Sequence, residues 1–271
     1  MKNANLNEER ASLLNMVKDF CMNHKSIYAF FLGGSLAKNN ADEFSDIDFR
    51  VVIPGSTSKK LVLKELLEYF EPQMAFIETL TSFYSVIHFS SFIKLDFFVY
   101  YSEELIEDVW FKDILILQDS KDLLASLKEE SMKKEFVVKK EDVNIYLNKY
   151  TAYLHELYRR WSREEYNYCE HCTLMMKHIL ISLWVIEKEN IPNDLGDWSK
   201  YEGSRSLLND SQKNFIASFT PIKLENIDYF VECMNEKVLQ SVSNISKQLN
   251  LQINTEKYST LFLYANFNKN S

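Results

Sequence analysis

Two short stretches of this chain combine residue types and spacing that can do chemistry: Gly33-Gly34-Ser35, and Asp46-Ile47-Asp48 a short distance after it. Successive side chains of a strand alternate between faces, so Asp46 and Asp48 would project from one face and could share a divalent cation. Magnesium takes oxygen ligands, commonly one or two carboxylates completed by waters and substrate phosphates. Paired glycines permit a tight turn and a close backbone approach, which would aim the local amides and the Ser35 hydroxyl at phosphate oxygens. Two of the chain's five glycines are placed at this turn. A third acid, Asp96, interrupts the otherwise apolar run 92–101. A carboxylate buried there without a cation would be costly, so Asp96 is a candidate to complete the cluster from a neighbouring strand.

The elements that must position these groups are legible around them. Residues 8–23 have amphipathic helical spacing, and residues 27–32 form an aromatic and β-branched run ended by the two glycines. A second strand is expected over 46–53, stopped by Pro54-Gly55, then a helix over 58–70 and strands over 75–79, 83–89 and 92–101. From about residue 141 the periodicity becomes helical, over 143–161, 166–189, 211–217 and 227–249. The fold expected is α+β: a mixed sheet flanked by helices, followed by an α-helical bundle domain. The division is drawn at 1–130 and 131–271, inside the charged segment 128–142, which reads as a solvated helix end or a connector.

The Gly-Ser turn, the gap after it and the Asp-x-Asp pair resemble the signature of the polymerase-β-type nucleotidyltransferase superfamily. Within it, the antibiotic-modifying branch, the aminoglycoside and lincosamide nucleotidyltransferases, is most similar. Its members are of similar length, carry the third acid on a strand reading much like Lys94-Leu95-Asp96, and append a helical domain that closes the substrate cleft. The resemblance covers the first domain. It implies that Gly33, Gly34 and Ser35 hold a nucleoside triphosphate, that Asp46 and Asp48 bind Mg²⁺, and that Asp96 is either a third metal ligand or the general base. Relatives often carry an Arg-Gly pair a few residues after the serine, where this chain has Leu36-Ala37-Lys38-Asn39. Lys38 would still bring positive charge to a phosphate, as a point charge without the bidentate fork.

Bulk properties narrow the partners. The chain has 271 residues, 46% hydrophobic and 26% charged, ordinary values for a globular protein of two domains. With 31 basic against 39 acidic residues the net charge is −8, which disfavours nucleic acid, whose phosphates call for a basic surface. A small, cationic acceptor suits an acidic protein better. The polar, acidic N-terminus lacks the pattern of a secretory signal, and the most apolar stretch, 179–186, is far short of the ~20 residues a membrane span needs. Four scattered cysteines fit reduced thiols in a cytoplasm.

Weaker signals are read conservatively. Cys169-Glu170-His171-Cys172 lacks the second ligand pair of a structural zinc site. His171 and His178 are read as ordinary helical histidines. Tyr153 and Trp161 belong to an aromatic band typical of a half-buried helix, with stacking on an adenine or sugar as a minority reading. Lys149 and Lys177 are conceivable triphosphate contacts, though helical lysines are usually solvated. Trp198-Ser199-Lys200-Tyr201 is faintly similar to a segment of streptomycin-type adenylyltransferases, and Glu164 or Glu165 is an alternative base to Asp96.

The expected activity is Mg²⁺-dependent transfer of a nucleoside monophosphate, AMP from ATP, to a hydroxyl of a small polar acceptor such as an aminoglycoside or a lincosamide antibiotic. The alternative is a non-catalytic regulatory protein on the same fold, such as an antitoxin-type partner. Decay of the carboxylate cluster would mark that alternative, and all three acids are present.

Overall fold

The chain divides into two compact units, Met1–Glu135 and Phe136–Ser271. The computed structural model describes residues 5–220 and 224–265. Unit one begins with helix α1 (Leu6–Asn23), strand β1 (Ala29–Leu32) and the one-turn helix α2 (Gly34–Ala37). Strand β2 (Ile47–Ile53), helix α3 (Lys59–Phe70) and strands β3 (Met74–Leu80), β4 (Tyr84–Phe89) and β5 (Lys94–Tyr101) follow. Strand β6 (Leu115–Asp119) and helix α4 (Leu123–Met132) close the unit. The six strands form one sheet in the order β3-β4-β5-β2-β1-β6. β2 and β5 are parallel and every other neighbouring pair is antiparallel, so the sheet is mixed as the sequence implied.

Burial explains why the central strands read so clearly. β1 is buried throughout, and in β2 Asp48 is the only position that is not. Near-continuous apolar runs are what strands covered on both faces require. β5 alternates, burying Leu95, Phe97 and Val99 while Asp96, Phe98 and Tyr100 lie on the opposite, half-exposed face. Phe97 stacks on Phe49 of β2 at 5.9 Å, and Leu13 and Val17 of α1 belong to the same core.

Besides the short helix α2, which replaces an expected turn, three elements differ from the sequence reading. β6 occupies residues that carried no strand signal, and α4 begins ahead of the charged segment and runs into it as far as Met132; β6 is a five-residue strand with no fully buried position, so no alternation marks it. A final helix, α9 (Thr255–Ala265), lies beyond the last helix expected.

Unit two contains α5 (Lys140–Trp161), α6 (Tyr166–Glu187), α7 (Asp210–Ala217), α8 (Ile227–Gln248) and α9 around one apolar core. Tyrosine hydroxyls link the helices inside it: Tyr150 donates to Asn235 at 2.8 Å and Tyr158 to Asp228 at 2.9 Å. The apolar run at 179–186 proves to be part of a longer helix. Over an 18-residue window α6 reaches a mean hydropathy of 1.2, enough by length and composition to cross a membrane, but 83% of that window is buried. Its apolarity serves the core.

His178 of α6 is fully buried and its Nε2–H donates to the Asp197 carbonyl at 2.9 Å. Trp198 and Tyr201 flank the ring at 5.4 and 5.3 Å, so Trp198-Ser199-Lys200-Tyr201 is a clasp over His178. Burial holds the imidazole's proton affinity below its ordinary value, the carbonyl only partly offsetting this. The unfolded chain therefore binds this proton more readily than the folded one. Stability contributed by neutral His178 is present above the ordinary histidine range of about 6.5 and is lost as pH falls through it. Melting temperatures measured from pH 8 to pH 5 should fall more steeply for the native chain than for His178→Gln; parallel curves would refute the assignment.

Candidate active site

The chain folds the two stretches onto each other through backbone contacts. β1 runs antiparallel to β2 with Leu32 opposite Phe49, and the Gly33 amide donates to the Asp48 carbonyl at 2.9 Å. Gly33 thus closes the turn with its N–H, which is then not available to a phosphate. What was expected as a simple glycine turn is the start of α2, with Gly33 as its N-cap. Gly34 adopts φ +58, and a Cβ on it would lie 1.8 Å from Asp48 Oδ2. The turn therefore needs glycine for its left-handed backbone and for the close approach of the Asp48 carboxylate. Ser35 is buried at the first turn of α2.

The loop before Asp46 is held from α1. Arg10, buried, donates through Nη1 to the carbonyls of Asp42 at 2.7 Å, Glu43 at 3.2 Å and Ser45 at 3.2 Å. Asp42 and Ser45 brace the same loop, Ser45 Oγ donating to Asp42 Oδ1 at 2.9 Å. Arg10 was read only as part of an amphipathic helix. Its carbonyl partners lie more than thirty residues away, so nothing local announces its role.

Asp48 and Asp96 are direct register partners across the parallel β2–β5 pair. Asp46 joins them through Lys94, whose ammonium lies 3.1 Å from Asp46 Oδ2 and 3.2 Å from Asp96 Oδ2. Desolvation by itself would lower the Lys94 proton affinity, but the Asp96 charge and the bonds to Asp46 and Asp96 outweigh it, and the net shift is upward. Asp96 is shifted upward too: burial is the largest cause, Lys94 opposes it, and the charges of Asp48 and Asp46 add to it. Asp96 Oδ1 is buried without a hydrogen-bond partner. Among the described residues no three His, Cys, Asp or Glu side chains are already gathered as a metal site. The donor set nevertheless fits a hard divalent cation, since it consists of carboxylate oxygens and includes an orphaned one. Lys94 supplies the positive charge that the cluster requires.

Lys38, half-exposed on the turn, pairs with Asp113 at 3.0 Å. The guanidinium of Arg50, on β2, lies between the Phe98 ring at 4.9 Å and the Trp110 ring at 4.6 Å, beside Gly33. Neither Arg50 nor Trp110 was singled out in the sequence.

Of the candidates on unit two, Lys177, Glu165, Tyr153 and Trp161 have partners within the unit. Lys177 is buried, donating to Thr220 Oγ1 at 3.0 Å, and burial lowers its proton affinity. Lys149 is exposed. Glu165 pairs with Arg160, and Glu164 is an exposed turn residue at φ 60. Tyr153 contacts His171 and Trp161 contacts Tyr166, both edge-on. Cys169 and Cys172 are buried free thiols.

Residues 14–151 match the nucleotidyltransferase domain family. The chain belongs to that family. It is accordingly a nucleotidyltransferase, an enzyme that takes a nucleoside triphosphate and an acceptor, in a family that generally uses divalent metal ions. Among solved structures it is similar to an aminoglycoside 6-adenyltransferase from Bacillus subtilis, with 12% identity, 93% of this chain and 96% of that one covered, and a TM-score of 0.41. It is also similar to a nucleotidyltransferase-like protein from Exiguobacterium sibiricum 255-15, with 12% identity, 89% and 78% covered, and a TM-score of 0.40. Likenesses this loose transfer neither protein's substrate. No curated protein matches the chain in sequence.

Two outcomes test the geometry of this nucleotidyltransferase. Gly34→Ala should destabilise the chain by about 1–3 kcal/mol, from the left-handed backbone and the collision with Asp48; chemical denaturation showing no loss would refute the close approach. Lys94→Met should lower the melting temperature in EDTA, because it leaves partly buried carboxylates without their cation. Added Mg²⁺ or Mn²⁺ should then raise that temperature more in the variant than in the native chain. Equal metal responses would show that Lys94 does not occupy the cation's place.

Proposed function

We propose that this nucleotidyltransferase moves AMP from ATP, with Mg²⁺, onto a hydroxyl of a small cationic acceptor of the aminoglycoside class, releasing pyrophosphate. The observation that carries the reading is the convergence of the Gly33-Gly34 turn on Asp48 and, through strand register, on Asp96. A phosphate-binding turn stacked on carboxylates is the arrangement a metal-bound triphosphate needs. The net charge of −8 supports a cationic acceptor over nucleic acid, since complementary potential concentrates a substrate and a like charge repels it. A neutral lincosamide would gain nothing from that field. The free thiols support a cytoplasmic location.

In this reading Asp46 and Asp48 hold the divalent cation, which when bound would neutralise charge on the phosphates. Gly34 gives the backbone its close approach, and Ser35 and Lys38 provide a hydroxyl and a positive charge near the phosphates. The acceptor oxygen attacks the α-phosphorus, the bond to the bridging oxygen breaks, and pyrophosphate leaves with that electron pair. Asp96 takes the hydroxyl proton on its carboxylate. Its raised proton affinity moves it toward the range in which a general base is effective.

The decisive experiment incubates the full chain with each labelled nucleoside triphosphate, Mg²⁺ and a panel of aminoglycosides and lincosamides, and follows pyrophosphate release and product mass. An adenylylated aminoglycoside is expected, and pyrophosphate release with none of them would sink the proposal. Asp48→Asn should abolish transfer with the fold intact by circular dichroism. Asp96→Asn should slow turnover by a factor on the order of 100 to 10,000 while ATP–Mg²⁺ affinity stays near that of the native chain. A parallel loss of affinity would make Asp96 a metal ligand instead.

A further inference from the structure

We propose that Arg50 is a phosphate-binding residue, a guanidinium held ready for the polyphosphate of the nucleotide; this rests on reading the Gly33–Asp48 region as the nucleotide site. Arg50 lies two residues after Asp48 on β2 and its side chain is nearly withdrawn from solvent, at 11% exposure. The guanidinium carbon sits 4.9 Å from the Phe98 ring centre and 4.6 Å from that of Trp110. Aromatic faces on a guanidinium fix its plane without using its N–H groups, which leaves its donors for an anion.

Those donors are not used up. Nη1 is buried with no hydrogen-bond partner. The carboxylate nearest it, Asp48 Oδ1, lies 3.8 Å away, which is an attraction between charges and too long for a hydrogen bond. A buried donor left unmade costs free energy that a folded protein tolerates mainly where function requires it. The position is also specific. A Cβ on Gly33 would come within 2.8 Å of Arg50 Nη1 and 2.9 Å of Trp110 Cζ2, so the guanidinium faces the backbone of the same turn that packs on Asp48. The turn's own sequence, Gly33 to Asn40, contains no arginine, and its one lysine, Lys38, is engaged with Asp113. Arg50 brings a fork-shaped cation to that turn from the strand behind it. Trp110 is 42% exposed and forms the outer cover over Arg50, so its indole should report the arrival of an anion.

Inorganic pyrophosphate is the probe, titrated into the full chain in EDTA by calorimetry and by tryptophan fluorescence, so that no metal bridges protein and phosphate. Arg50→Met should weaken pyrophosphate binding on the order of 10- to 100-fold, the worth of a hydrogen bond to a charged group. Arg50→Lys keeps the charge without the fork and should lie between the two. Should Arg50→Met fail to fold, Arg50→Lys carries the test alone, and an affinity equal to the native chain's overturns the proposal. Pyrophosphate affinity unchanged in a folded Arg50→Met, or no pyrophosphate binding by a native chain that binds ATP–Mg²⁺, overturns the Arg50 assignment and leaves the nucleotide reading standing. A native chain that binds no ATP–Mg²⁺ overturns both. Loss in Arg50→Met that disappears in an Asp48→Asn background would show that Arg50 acts by positioning Asp48, and would overturn direct contact.

Discussion

The structure of unit one turns on how negative charge is tolerated at one end of its sheet. Asp48 and Asp96 are register partners on adjacent parallel strands, and Asp46 is close behind. Burial raises the proton affinity of Asp96, Lys94 opposes the rise, and the neighbouring charges of Asp48 and Asp46 add to it. Lys94 lies between Asp46 and Asp96, and the Arg50 guanidinium is 3.8 Å from Asp48. Two cations from the strands themselves thus offset an arrangement that would otherwise be repulsive. The same concentration of oxygens suits a family that generally uses divalent metals.

Close approach is the second constraint. A Cβ on Gly34 would collide with the Asp48 carboxylate, and one on Gly33 would crowd Arg50 and Trp110, so the turn packs closely on all three. The amide of Gly33 is fixed by the Asp48 carbonyl, so the turn is tied to the strand that carries the carboxylate. Arg10 does the same for the loop that delivers Asp46, collecting three carbonyls with a single nitrogen. Sites held by backbone contacts to rigid strands keep their geometry better than sites on free loops.

Unit two shows how a polar group can look functional and prove architectural. Lys177 and His178, adjacent on α6, are both buried and both shifted toward their neutral forms, yet each is committed to a nearby partner, Thr220 and the Asp197 carbonyl. Desolvation alone shifts a pKa, and a perturbed group gains a catalytic reading only where it also has an unused donor or acceptor facing a site. Arg50 and Asp96 meet that second condition.

By itself the sequence determined the strands and helices with strong periodicity, the α+β class, and the pairing of a glycine turn with Asp46, Asp48 and Asp96. These are local patterns: alternation, helical spacing and glycine placement are set by backbone geometry within a few residues. It missed β6, which has no fully buried position to mark an alternation, and α9. Tertiary structure decided what depends on partners distant in the chain. Register between β2 and β5 set Asp48 beside Asp96, and only that register turned Lys94 into a bridge between two acids. Arg10 and Arg50 gained their roles from a loop and two aromatic rings that no spacing rule connects to them. A charged side chain is indifferent in sequence, and its meaning is fixed by what desolvates it and which groups remain within hydrogen-bond reach once the sheet has formed.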